Sequence, residues 1–182
     1  MNKKTTLLSI SALSCVIAGA YGIINDYFLF KFCPEFFTEF KFVEYGITDG
    51  ITKNAGDNPM NIVKVGLMAS WWMGLIIGSI LGILSLPIAT PRDMYKTLFS
   101  SMGITVAITV LMSLAGLVFG RIFLTDYNVE AWGIFMPTKN ILHPERFMMC
   151  LSMHNFTYIG AIIGMLVGSI FIITKKRKFI GF

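Results

Sequence analysis

Few side chains in this sequence can do acid–base, thiol or metal chemistry: His143 and His154, the carboxylates Asp26, Glu35, Asp126 and Glu145, the thiols Cys15, Cys33 and Cys150, and Arg121 as an anion partner. Histidine titrates near neutrality, so His154 with Asp26 or Glu35 would make an acid and base pair if the fold joined them. A metal is not expected, because eleven residues separate the histidines and no C-x-x-C or H-x-x-x-H spacing accompanies them. Hydrolase, zinc-protease, Walker and dinucleotide patterns are all missing, so no cofactor is expected either. Arg121 can bind an anion or snorkel to an interface. His154 and Asn155 can act as a ligand-binding pair, or Asn155 can cap a helix. Cys33 and Cys150 can join in a disulfide or remain two free, buried thiols.

The elements holding these residues follow from composition. Of 182 residues, 55% are hydrophobic and 14% charged, and the mean hydropathy is +0.71, whereas a soluble domain carries about 25% charged residues. Sixteen phenylalanines also exclude a disordered chain. Four continuous apolar runs can each cross the bilayer, which takes about 20 helical residues for roughly 30 Å of hydrocarbon. They are Thr5 to Ile24, Val65 to Ala89, Phe99 to Phe123 and Asn155 to Thr174. The expected fold is therefore all-α, one integral membrane domain forming a four-helix bundle, with long loops at 25–64 and 124–154 and a short link at 90–98.

Charge orients it. The side carrying both termini and the short link has eight basic residues and one acidic, and the other side has seven basic and nine acidic. The excess of Lys and Arg marks the cytoplasmic side, so both termini are expected inside and both long loops outside, in a bacterial inner membrane. The pI of about 9.2 then reports topology and anionic lipid, and nucleic acid is not an expected partner. Lys3, Lys4 and the stretch Ala18, Gly19, Ala20 imitate a signal peptide. Because span one has a counterpart later in the chain, it is expected to be retained.

That counterpart belongs to an internal repeat. Trp72, Gly74, Gly78 and Gly82 in span two recur as Tyr158, Gly160, Gly164 and Gly168 in span four, and a looser echo links Gly22, Asp26 and Tyr27 to Gly120, Asp126 and Tyr127. Two helical hairpins in parallel duplication are expected. The glycine ridges should let backbones approach, with spans two and four packed at the centre, or serve a homo-oligomer. Nine aromatics between Tyr27 and Tyr45 must lie in the headgroup layer or cap the helices, Phe40 and Phe42 alternating as in a strand. The stretch Thr48 to Asn61 reads as exposed loop.

Four segments resemble a group of small, uncharacterised four-span bacterial membrane proteins: Tyr21-Gly22 with Asn25-Asp26; Pro34 to Thr38 with Phe40 to Phe42; Trp71 to Gly78; and His154 to Gly160. In that group the residue before the aspartate is His, where this sequence has Asn25. The resemblance implies the four-span topology and an outer-face cluster, with no activity to transfer. The functional expectation is a non-catalytic accessory or binding subunit that engages a lipid, an apolar small molecule or a partner protein through Asp26, Glu35, Trp71, Trp72, Arg121, His154 and Asn155. One alternative is an oligomeric pore lined by Ser70, Ser79, Thr105, Thr109 and Ser113; another is a membrane enzyme using His154 with a carboxylate.

Overall fold

Proline opens three of the four long helices, since its missing N–H is unpaired at a first helical position anyway and its φ is already helical. The computed structural model describes residues 2–47, 59–124 and 141–180, with side chains as far as Lys176. Its helices are α1 (Lys3–Phe32), a short α2 (Phe42–Glu44), α3 (Pro59–Ser85), α4 (Pro91–Phe123) and α5 (Pro144–Ile180). Asn2 Oδ1 caps α1 by accepting the Thr5 N–H at 2.8 Å, and Thr90 Oγ1 caps α4 by accepting the Asp93 N–H at 3.1 Å. Leu86 precedes Pro87, which pushes it out of the helical region. Helix α3 therefore ends at Ser85 and not at Ala89. At its other end α3 takes Pro59, Met60 and Asn61 out of the expected loop, and α5 starts eleven residues before Asn155.

Four of these helices are long and apolar enough to cross a membrane. Large apolar side chains such as Leu8, Ile24, Leu111 and Leu166 face outward, while Ser14, Ser85, Ser101, Thr105 and Thr109 are buried. This arrangement would be unfavourable in water and is the ordinary one in lipid, where helices associate through small and polar residues.

Helices pair as two antiparallel hairpins, α1 with α3 and α4 with α5, each packed closely within itself and only loosely against the other. Glycine makes the pairing possible. A Cβ on Gly66 would lie 2.7 Å from the Ile23 backbone, and Gly74 and Gly78 both abut Ser14. In the second hairpin Gly160 meets Thr109, Gly164 meets the Thr105 backbone at 2.8 Å and Gly168 meets Ser101, while Gly82 rests on Leu7 in the first. The expectation that spans two and four pack their ridges at the centre is thus corrected. Each ridge is consumed by the preceding span of its own hairpin.

Apolar clusters close both ends of the bundle. One gathers Ile10, Leu81, Met94, Leu98 and Ile172; the other gathers Leu29, Phe36, Phe37, Phe42, Ile62 and Phe147. The second includes the aromatic segment, which caps the helices as one of the two expected arrangements had it. It is not a strand. Phe36–Lys41 form a π-helical turn continuing into α2, and a Schellman closure ends it, with Gly46 at φ 64 and the Ile47 N–H donating to the Phe42 carbonyl at 2.7 Å.

Candidate binding site

Between the two clusters the bundle keeps a cavity of about 100 Å³, lined from all four long helices. Its polar end is built by Asn25 and Asp26 of α1, Ser70 of α3, and His154, Thr157 and Tyr158 of α5. Sequence reasoning placed Asp26 and His154 at the outer boundary of the spans. The structure places both inside helices and not in loops, since α1 runs on to Phe32 and α5 begins at Pro144. His154 lies about 15 Å along α5 from its first residue, at 1.5 Å per residue.

Asp26 is only 4% exposed. Its Oδ2 has no hydrogen-bond partner among the described residues, although the Asn25 side chain reaches the carboxyl. His154 sits edge-on to Tyr158, with ring centroids 5.0 Å apart, and 6.0 Å from the ring of Phe36 in the cap. Tyr158 in turn donates its hydroxyl to the Ala69 carbonyl at 3.0 Å. That bond ties α5 to α3. Ser113 ties the hairpins elsewhere, donating to Asn25 Oδ1 at 3.3 Å.

Above this end the π-helical turn sets Lys41. Its i to i+5 repeat brings residues five apart onto one face, so Phe36 and Lys41 point inward together. Both are buried. The Lys41 ammonium bonds Glu44 at 2.7 Å and lies 5.0 Å from the Phe40 ring centre and 5.6 Å from that of Tyr45. It acts electrostatically on both Asp26 and His154. Burial, then the nearby Glu44 and Asp26 charges, push the Tyr45 phenol up to about 12, so it stays a donor at neutral pH. Lys41, Glu44, Tyr45 and Tyr158 are the site residues that sequence reasoning missed. In the sequence Lys41 is one charge in the long loop 25–64, and only the unusual density of aromatics around it signals a buried position.

The remaining expected site residues lie elsewhere. Arg121 pairs with Glu145 at 2.8 Å, both well exposed, and Glu35 accepts the His143 backbone N–H at 2.9 Å. Trp71 and Asn155 face outward, and Asn155, in mid-helix, cannot cap α5. Trp72 alone touches the site, stacked on Tyr158 at 6.3 Å. The seven therefore do not converge, and Asp126, with the stretch 48–58, lies outside the described residues. Of the hydroxyls proposed to line a pore, Ser70, Thr105 and Thr109 donate to carbonyls of their own helices at 2.5, 3.0 and 2.8 Å.

Cys33 and Cys150 are free, buried thiols, brought into hydrogen-bond contact where the end of α1 meets α5. Cys150 also reaches the Leu29 carbonyl at 3.9 Å. The hydrogen bond from Cys150 draws the Cys33 thiol below its ordinary value, against the opposing effect of burial, and so favours the reactive thiolate. Mild oxidation with diamide should therefore link Cys33 to Cys150 within one chain, leaving Cys15 free. Peptide mapping checks this; an intermolecular product would mean that the thiols are not paired in the membrane.

No protein-family description, curated protein or solved structure matches this chain.

Proposed function

We propose that this chain is a non-catalytic membrane binding protein that holds a small amphipathic amine, the ammonium against Asp26 and His154 beneath the aromatic cap. The reading rests on Asp26 Oδ2, a buried acceptor without a hydrogen-bond partner among the described residues. A carboxylate buried with one oxygen unpaired in an apolar bundle costs free energy that Lys41 and Asn25 offset only in part, and ionisable groups inside membranes are retained where they serve a ligand or an ion. Lys41 is already committed to Glu44, so the site lacks one positive donor. An ammonium supplies it, and the aromatic faces of Tyr21 and Tyr158 on the cavity wall suit a cation.

The wider setting is part of the same proposal. The surplus of Lys and Arg beside both termini and at the start of α4, where Arg92 and Lys96 stand, supports cytoplasmic termini in a bacterial inner membrane, with the capped end outside. The resemblance to small four-span bacterial membrane proteins agrees with it. Glycine rows spaced by four that seat α3 on α1 and α5 on α4 support an ancestral hairpin duplication.

Native mass spectrometry of gently extracted protein tests the binding reading. Wild type is expected to carry an amine-bearing amphiphile at one per chain, and the Asp26→Asn variant, equally folded, to be bare. The same adducts on both would refute it.

A further inference from the structure

The cavity is small for the ligand just described. About 100 Å³ takes a headgroup, whereas pockets enclosing a whole small molecule run to roughly 300–1,000 Å³. A hydrocarbon chain attached to that headgroup must lie elsewhere. The structure offers one adjoining space. Tyr21 and Asn25, which line the cavity, also line a groove of about 430 Å³ between α1 and α4.

This groove marks the seam between the hairpins, where α1 and α4 approach far less closely than either approaches its own partner. Its walls are apolar. Ile24 and Phe28 on one side and Leu114 on the other are 58%, 65% and 51% exposed, so the groove opens sideways toward lipid. Its floor is polar, where the buried Ser113 donates to Asn25 at 3.3 Å, long for a bond donated by a hydroxyl. The contact across this seam is thus weak, and it lies beside Asp26 Oδ2, which has no hydrogen-bond partner among the described residues.

We propose that the α1/α4 groove seats the single hydrocarbon chain of an alkyl amine arriving from the bilayer, whose ammonium passes Asn25 and Ser113 to reach Asp26. The inference depends on the binding reading above. Three observations carry it: the two spaces share residues, the inner one fits only a headgroup, and the outer one is apolar and open to lipid. Rotation of the Asn25 amide away from Ser113 would join the spaces without moving a helix.

Two probes separate the claims: n-butylamine, short enough for the cavity alone, and n-dodecylamine, which needs the groove. Binding is measured by titration calorimetry of full-length protein in phosphatidylcholine nanodiscs, with uptake by empty discs subtracted. Leu114→Trp fills the groove from a half-exposed position that tolerates size, and Val110→Trp, one turn away, replaces it if that variant does not fold. Either is expected to weaken dodecylamine about tenfold or more, as overfilling a packed site does, and to leave butylamine unchanged. Unchanged dodecylamine binding, or equal weakening of both amines, would overturn the groove proposal while Asp26→Asn still abolished both. If Asp26→Asn leaves both amines bound, the binding reading fails and the groove proposal with it.

Discussion

Asp26→Asn should yield a protein that melts higher than wild type and no longer binds its amine. The two effects have one cause. The Asp26 side chain is buried, with Oδ2 unpartnered among the described residues, and an isosteric amide removes the charge while keeping the shape. Removing the buried charge relieves a desolvation cost of about 1–3 kcal/mol or more, from which the lost attraction to Lys41, the altered Asn25 contact and the buried amide N–H groups subtract a part. Each kcal/mol moves the melting temperature of a chain this size by about 2–4 °C. Binding moves oppositely: removing one partner of a desolvated charge pair costs about 2–5 kcal/mol, thirtyfold or more in affinity. Thermal melts beside amine titrations of the same preparation check both. A structural Asp26 would give the reverse stability result, lower melting on substitution, because the bundle would have lost a stabilising contact.

Gly66→Ala should separate the first hairpin, whereas Gly103→Ala should leave the bundle as stable or more so. Both glycines are helical and differ in what faces them. A methyl on Gly66 meets the Ile23 backbone at 2.7 Å, and backbone cannot rotate away; a methyl on Gly103 meets nothing within 4 Å. Alanine gains about 1 kcal/mol over glycine in an exposed helix interior, so Gly103→Ala carries the gain alone. At Gly66 the forced separation of α1 from α3 costs about 1–3 kcal/mol, and more if the whole interface shifts. Denaturant unfolding in mixed micelles should rank Gly103→Ala above wild type and Gly66→Ala below it. Gly164→Ala should behave like Gly66→Ala, since Thr105 backbone stands 2.8 Å away. Equal effects at Gly66 and Gly103 would mean that glycine here reflects composition and not close packing.

Hydropathy made the four spans legible because lipid demands long apolar runs, and those runs read the same in sequence and in space. It also cut the helices short. The last two turns of α1 and the first three of α5 carry Asp26, Lys31, Glu145, Arg146 and His154, and a window that penalises charge stops before them. Asp26 and His154 accordingly read as residues of loops or span ends, whereas both lie inside helices that continue past the apolar run. Pro59, Pro91 and Pro144 mark the true starts of three helices, a signal present in the sequence and stronger than hydropathy at those ends. The glycine rows were legible as close-packing faces, but a row alone does not name its partner; that follows from the small residues opposite, Ser14 on α1 and Thr105 on α4. Lys41 was least legible. Its inward direction depends on a π-helical turn, and the residue spacing of Phe36 to Lys41 fits an exposed lysine on an ordinary helix equally well.

The most direct test of the central claim is labelling with dicyclohexylcarbodiimide, an apolar reagent that reaches carboxyl groups from the lipid phase. Membranes containing the wild-type protein would be treated with and without n-dodecylamine, and labelled peptides quantified by mass spectrometry. The account predicts that Asp26 is modified, that the amine protects it, and that the exposed Glu145 gains no such protection. Equal labelling of Asp26 with and without the amine, or no labelling of Asp26 at all, would contradict it.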